Sequence, residues 1–151
     1  SIYHHFISTP HKQLLAMISG GFFGILCLIG VLMLILRRQN NARVKANTRT
    51  SDMVVLYALL IQVCLGLLTI VVSAQHLDGS VMVLLANWAQ SIVTLQGVQA
   101  AEMIAPVSIV YKLHVFVGLT LIMIFPFTRL VHVISAPIKY LVRNYQIVRQ
   151  R

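Results

Sequence analysis

The sequence predicts an all-α membrane protein, and three observations lead to this class. The chain has 151 residues, of which 58% are hydrophobic and only 10% are charged, whereas soluble domains carry about 25% charged residues. Three apolar runs each exceed the roughly 20 residues that a helix needs to cross a bilayer. The net charge is +9, but the basic residues form two blocks beside apolar runs. This placement indicates membrane topology and argues against nucleic-acid binding.

The three predicted spans cover residues of about 14–36, 53–74 and 109–134, and each should be a helix because only a helix satisfies its own backbone in hydrocarbon. A basic loop at 37–52 and a basic tail at 137–151 lie on the same side of the membrane by parity. The connection at 75–107 contains no Lys or Arg. The positive-inside rule therefore places loop and tail in the cytoplasm, and the connection and the N-terminus outside.

The outer connection contains the run VMVLLANWAQSIVTLQG, in which apolar residues alternate with amides and Trp88 suits the headgroup region. We interpret it as a helix that lies in the interface or caps the bundle. A fourth span is the alternative, but it would place the basic tail outside.

Small residues and two cysteines occur within the spans. Cys27 and Cys64 lie in the middle of apolar runs and are expected to be small buried side chains without a disulfide. Glycines in all three spans are expected to allow close helix packing. They are Gly20, Gly24, Gly66 and Gly118.

The pair His114 and His132 in the third span is the main candidate for chemistry. The two residues are 18 positions apart, which on one continuous helix equals five turns, or roughly 27 Å, with both imidazoles on one face. Two ligands at that distance fit two cofactors stacked across the membrane. Pro126 lies between them and should kink the helix. Taken alone, each histidine could instead reach the interface with its polar tip.

Neighbouring residues favour haem as the cofactor. Lys112 and Arg129 stand close to the two histidines and suit haem propionates, although each alone could be a snorkelling cation. Gly118 and Ala136, each four residues after one of the histidines, would leave room for a macrocycle. His76 is one possible second ligand opposite His114. Otherwise the partner ligands must come from a missing segment or another chain.

Other polar residues precede the first span. His4, His5 and His11 form a cluster that we interpret as a solvated interfacial loop, with adventitious metal binding as the alternative. Lys12 enters the first span at the level of His114, where it could hydrogen-bond a quinol head group. The alternative is an interfacial anchor.

The whole chain resembles the gamma subunit of respiratory nitrate reductase, a dihaem cytochrome b membrane anchor. The resemblance rests on motifs that extend from about residue 12 to the end of the chain. They are GILCLIG, CLGLLTI, SAQHLDGS, WAQSIVTLQG, KLHVFVGLTL, FPFTRLVHV and PIKYLVRNYQIVR.

The resemblance implies a five-helix subunit of the bacterial inner membrane with two haem b groups. His114 matches a ligand of the outer haem, His132 a ligand of the inner haem, and Lys12 the lysine at the quinol site. The chain would correspond to the C-terminal part, without the first two helices and their histidine pair, and would be inactive alone. Quinol would be oxidised near the outer face. Electrons would pass through both haems to a cytoplasmic iron–sulfur (beta) subunit and the molybdenum-containing catalytic (alpha) subunit.

Two alternatives remain open at the level of the sequence. The chain could belong to the cytochrome b subunit of another quinone-linked oxidoreductase, which the same histidine spacing would allow. It could also be a haem-free membrane anchor in which both histidines are interfacial. The basic tail is expected to contact anionic membrane lipid in either case.

Overall fold

The computed structural model describes residues 9–75, 78–129 and 131, and these form helices joined by short turns, without any strand. Six α-helices have their bounds within these residues. They are α1 (Thr9–Asn40), α2 (Ala42–Ala46), α3 (Thr50–Ser73), α4 (Ser80–Val93), α5 (Gly97–Ile104) and α6 (Ile109–Ile124). The predicted fold class is confirmed, because three of the helices are long and apolar enough to cross a membrane.

The helix ends follow from local sequence. Pro10 occupies the first turn of α1, where its missing N–H costs nothing. Asn41 separates α1 from α2, and its side-chain oxygen accepts hydrogen bonds from the backbone N–H groups of Arg43 and Val44. Asp52 closes the first turn of α3 by accepting from the backbone N–H of Arg49 at 3.0 Å. A carboxylate there also suits the positive end of the helix dipole.

The central helix of the bundle is α3, which packs against α1 on one side and α6 on the other. Both pairs are antiparallel: Gly24 faces Leu67 across α1 and α3, and Gly66 faces His114 across α3 and α6. A small buried core lies between α1 and α3, formed by Val31, Ile35 and Leu56.

Most large apolar side chains of the long helices are exposed, as expected for surfaces that face lipid. This exposure includes Cys27 and Cys64, which are free and exposed. The prediction that both thiols are buried is therefore wrong. An apolar run identifies a membrane-spanning helix, but it does not tell which face of the helix meets protein and which meets lipid.

The connection between the second and third long helices contains two helices and not one. The predicted run forms α4, and α5 begins at Gly97, where the run ends; the two helices pack against each other. The turn between them includes Leu95 in the left-handed region, with φ of 59°. Ser91 of α4 and Ala100 of α5 are buried, while Trp88 is half-buried.

The third long helix is interrupted at Pro126. The α-helix ends at Ile124, a 3-10 helix covers Phe125–Phe127, and Thr128 is extended, with φ of −104° and ψ of 165°. A break at Pro126 is thus confirmed. The assumption of one continuous helix from residue 109 to 134 is wrong, so counting turns from His114 no longer fixes the direction of His132.

Candidate functional site

His114 lies on α6 where this helix crosses α3. An ideal Cβ placed on Gly66 would lie 3.1 Å from Cε1 of His114 and 3.7 Å from its Nδ1. The imidazole therefore rests against the α3 backbone, in space that only glycine leaves open. The side chain is half-buried, and its Nδ1 is buried without a hydrogen bond.

Gln62 occupies the reciprocal position one turn along the same crossing. An ideal Cβ on Gly118 would lie 2.9 Å from Nε2 of Gln62. This amide therefore occupies space beside Gly118 that we expected to accommodate a macrocycle. The Oε1 of Gln62 is buried and has no hydrogen-bond partner. Close packing is confirmed as a use of Gly66 and Gly118.

A small cavity of about 170 Å³ lies beside this crossing, between the N-terminal parts of α1, α4 and α6 and the C-terminal part of α3. We call this end of the bundle the His114 end. The buried Gln13 donates through Nε2 to the carbonyl (3.2 Å) and hydroxyl (2.9 Å) oxygens of Ser73. Tyr111 donates its hydroxyl hydrogen to the carbonyl of Thr69 at 3.2 Å. The cavity is thus apolar with polar groups at its edge.

The two lysines singled out by the sequence also lie at the His114 end. Lys12 is half-buried on α1, next to Gln13. Lys112 donates from Nζ to the carbonyl of Ala105 at 2.9 Å. Ala105 is the C-cap of α5, so Lys112 satisfies a carbonyl at the negative end of a helix dipole.

At the opposite end of the three long helices, one carboxylate forms ion pairs with two arginines. Oδ2 of Asp52 lies 3.3 Å from Nη1 of Arg129 and 3.7 Å from Nη1 of Arg38. Arg129 also donates to the carbonyl of Asn47 at 3.3 Å. The Asp52 side chain is 9% exposed, against 51% for Arg129. We call this region the arginine end; it joins α1, α3 and the residues that follow the 3-10 helix.

A second cavity, of about 730 Å³, opens at the arginine end. Its polar wall carries Arg38, Arg43, Arg49 and Arg129 together with Asp52, so that four cations face one anion. The apolar floor is formed by Leu34, Val55, Leu56, Leu59 and Phe127. A cavity with this lining suits an apolar molecule that carries anionic groups at one edge.

Four sequence-predicted histidines, His4, His5, His76 and His132, lie outside the described residues. The pairing of His76 with His114 therefore remains a prediction, as does the position of His132. Of the five residues expected to bind a cofactor or quinol, the structure thus brings Lys12, Lys112 and His114 to one end and Arg129 to the other. Within the described part of the chain, no three His, Cys, Asp or Glu side chains group as a metal site.

Sequence reasoning missed Gln62 and Asp52. Gln62 is an amide inside a predicted span, and polar side chains in that setting usually have a specific partner. Asp52 is the only acid within the first basic block, which marks it as a partner for several cations. Both signals were available, but neither reveals which residue on another helix is the partner.

Comparisons with known proteins show the family of this chain. The model of the nitrate reductase gamma subunit family matches residues 1–151. The chain belongs to this family. It is 51% identical over 150 residues to the respiratory nitrate reductase 2 gamma chain of Escherichia coli (strain K12), covering 99% of this chain and 66% of that relative. The resemblance drawn from the sequence motifs is therefore confirmed.

Two further relatives extend the comparison. The respiratory nitrate reductase 1 gamma chain of the same strain is 47% identical over 150 residues, again covering 99% of this chain and 66% of the relative. The nitrate reductase gamma chain of Bacillus subtilis (strain 168) is 30% identical over 128 residues, covering 85% of this chain and 56% of the relative. The chain thus spans just under two thirds of the length of the two Escherichia coli gamma chains.

Proposed function

We propose that the full-length protein is the cytochrome b membrane anchor of a respiratory nitrate reductase. It oxidises quinol at the His114 end and delivers electrons at the arginine end to a cytoplasmic iron–sulfur subunit, which supplies a molybdenum-containing catalytic subunit. The observation that carries this proposal is the position of His114, an imidazole held at a helix crossing inside an apolar span, in a chain of the nitrate reductase gamma family.

The residues at the His114 end fit one half of a haem-binding site. His114 would hold the haem iron, and since Nδ1 is the buried ring nitrogen, Nε2 is the atom that we assign to this role. A haem b bound there would take up and release one electron at a time. The second ligand of such a haem would come from outside the described residues. His132 is proposed as the corresponding ligand of the second haem.

The arginine end fits the carboxylates of such a cofactor. Arg129 already binds one carboxylate, that of Asp52, at 3.3 Å, and the planar guanidinium is suited to carboxylate pairs. We assign Arg129 to the propionates of the inner haem, and Lys112 to those of the outer haem. The apolar floor of the arginine cavity would lie against the macrocycle.

Lys12 is proposed to hydrogen-bond the quinol head group. It lies on α1 next to Gln13, which lines the small apolar cavity at the His114 end. With this end outside and both basic blocks in the cytoplasm, protons from quinol would be released outside while electrons move inward. Such a separation of charge would energise the bacterial inner membrane.

Two competing functions make different predictions. The cytochrome b subunit of another quinone-linked oxidoreductase would purify without molybdenum-containing and iron–sulfur partners of the nitrate reductase type. A haem-free anchor would show no b-type absorption. The apolar lining of the arginine cavity and the half-buried position of His114 favour a bound cofactor over an empty anchor.

The first experiment removes His114 in the full-length protein co-produced with its partner subunits. We expect His114→Ala to lose part of the b-type band in reduced-minus-oxidised difference spectra, because one axial ligand is gone. The control is His11→Ala, an exposed histidine of α1. An unchanged b-type band in the His114 variant would show that this histidine does not hold a haem, whereas absence of the band from the wild type as well would support the haem-free anchor.

The second experiment concerns Lys12. We expect Lys12→Ala to slow quinol oxidation while the b-type spectrum stays that of the wild type, since this lysine is assigned to quinol and not to iron. Lys45→Ala, a change in α2 at the arginine end, serves as the matched control. Normal turnover of the Lys12 variant would remove this residue from the quinol site.

A further inference from the structure

Two polar side chains at the α3–α6 crossing bury atoms that make no hydrogen bond. One is Nδ1 of His114 and the other is Oε1 of Gln62. Leaving a buried polar atom unsatisfied costs about 1–3 kcal/mol. Two such atoms at one crossing therefore indicate a missing partner and not a tolerated defect.

The crossing brings these side chains together through two glycines. His114 rests on Gly66, while Gln62 rests on Gly118. Residues 62 and 66 are one turn apart on α3, and residues 114 and 118 are one turn apart on α6. Because the two helices are antiparallel, the imidazole and the amide occupy adjacent levels of the same interface, roughly 6 Å apart along the axis.

Two backbone carbonyls of α3 at this end already accept hydrogen bonds from side chains. The carbonyl of Gly66 accepts the hydroxyl of Thr69 at 2.6 Å, and the carbonyl of Thr69 accepts the hydroxyl of Tyr111 at 3.2 Å. Among the side chains of the described residues, Gln62 supplies the buried oxygen at this crossing that has no donor.

The chemistry of a metal-bound imidazole requires such an acceptor. When Nε2 binds iron, Nδ1 carries the hydrogen, and that N–H almost always donates to an oxygen that fixes the orientation of the ring. An acceptor at Nδ1 also makes the imidazole a stronger donor to the metal, which stabilises the oxidised form.

We propose that Gln62 is the positioning residue of His114, and that its Oε1 accepts the Nδ1–H hydrogen bond of the iron-ligating imidazole. The proposal rests on the assignment of His114 as a haem ligand made above. The amide atom of Gln62 nearest Gly118 is Nε2, and Oε1 lies farther away; in the proposed bond, rotation about the terminal torsions of Gln62 brings Oε1 to the ring. Both buried atoms are then satisfied by one bond.

The test uses Gln62→Met and Gln62→Glu in the full-length protein within its complex. Methionine keeps the length and volume of the side chain but offers no oxygen, whereas glutamate retains the acceptor. We expect the Met variant to keep its haem and to raise the midpoint potential of the outer haem. The ferric-to-ferrous ratio at a fixed potential should fall roughly two- to tenfold, the effect of one hydrogen bond. The Glu variant should not exceed the wild-type potential.

The controls separate this effect from packing and from the proposed function. The inner haem, titrated in the same sample, should keep its potential, and Ile61→Met changes the neighbouring α3 residue, which is 53% exposed. The low-spin electron paramagnetic resonance signal should shift for Gln62→Met alone, because it reports the orientation of the axial imidazole. Gln62 does not position His114 if Gln62→Met and Gln62→Glu shift the midpoint potential of the outer haem equally. The same conclusion follows if Gln62→Met changes neither this potential nor the paramagnetic resonance signal. If the outer haem survives His114→Ala, the haem assignment itself fails.

Discussion

The α3–α6 crossing around His114 and the arginine end hold their polar groups in opposite ways. At the crossing, two glycines let an imidazole and an amide approach a helix backbone, and both side chains bury unpaired atoms. At the arginine end, the Asp52 carboxylate receives two guanidinium groups and a backbone N–H. Close helix packing positions the polar groups of the first region, and two of their atoms lack a hydrogen-bond partner. Ion pairs position those of the second region, where the carboxylate already has its partners.

The difference follows from the surroundings of each region. Unpaired charges are expensive in the apolar part of a membrane, so close packing and hydrogen bonds, rather than ion pairs, hold the polar groups there. At the ends of the spans, water and lipid headgroups reduce that cost, and arginines can be held by one acid. Substitutions at the crossing should therefore affect packing and cofactor binding, whereas substitutions at the arginine end should have effects on stability that depend on salt.

The largest effect should come from filling the space that Gly66 leaves open beside His114. In Gly66→Leu even the Cβ would lie 3.1 Å from Cε1 of His114, so the larger side chain must displace the imidazole. We expect loss of the outer haem and a destabilisation of about 1–3 kcal/mol or more from overpacking. Difference spectra and thermal denaturation in detergent would measure both.

Gly30→Leu is the matched control, because an added Cβ at Gly30 would meet nothing within 4 Å. This variant should retain both haems and near-normal stability. Equal damage by the two substitutions would mean that the crossing is not a special point of contact, and the contrast between the two regions would disappear.

A smaller effect is expected at the arginine end. Asp52→Ala removes both ion pairs and the acceptor for the Arg49 N–H. Loss of such an acceptor at a helix start costs about 0.5–2 kcal/mol, and partly exposed ion pairs add roughly 0.2–1 kcal/mol each. The difference between variant and wild type should shrink as salt screens the charges. Thermal denaturation at low and high ionic strength would measure this.

Glu102→Ala provides the comparison for Asp52, since Glu102 is an exposed acid on α5. It should change stability little at any salt concentration. A salt-independent loss in the Asp52 variant would show that the carboxylate acts only as a helix cap, and that charge does not organise the arginine end.

The two regions also differ in how far the sequence predicts them. The three long helices follow from apolar runs, and the break at Pro126 follows from proline chemistry. The pair Asp52–Arg129 could not be foreseen, because it joins residues 77 positions apart whose contact depends on how the chain continues beyond the 3-10 helix. Turn counting does not extend to His132 for the same reason: it assumes an unbroken helix, and Thr128 is extended. The position of His132 stays a prediction.

At the crossing, sequence reasoning singled out His114 and expected a macrocycle beside Gly118, where the structure places the side chain of Gln62. A small residue four positions after a histidine indicates free space on the same face of the helix as the histidine. It does not say whether a cofactor or a side chain of another helix fills the space. Only the antiparallel register of α3 and α6 places Gln62 there, and that register is a property of the packed pair and not of either helix alone.

A modest effect is expected for Tyr111→Phe, which removes the hydrogen bond to the Thr69 carbonyl without changing the ring. Hydrogen bonds between helices in membranes contribute about 0.6 kcal/mol on average, so the denaturation temperature should fall slightly. Tyr57→Phe, which removes the exposed hydrogen bond with Gln39, should have less effect still. A larger loss for Tyr57 would contradict the view that neutral contacts at the His114 end hold α3 and α6 together.

The smallest net effect is expected for Gly118→Ala. The added Cβ would lie 2.9 Å from Nε2 of Gln62, which is the end of a flexible side chain and can move aside. Replacing glycine by alanine inside a helix also gains roughly 0.5–1 kcal/mol, so the two terms should nearly cancel. Gly30→Ala has the same gain and no close neighbour. The stability of Gly30→Ala minus that of Gly118→Ala thus measures how firmly the crossing holds Gln62, and a difference of zero would mean that the amide is not held at all.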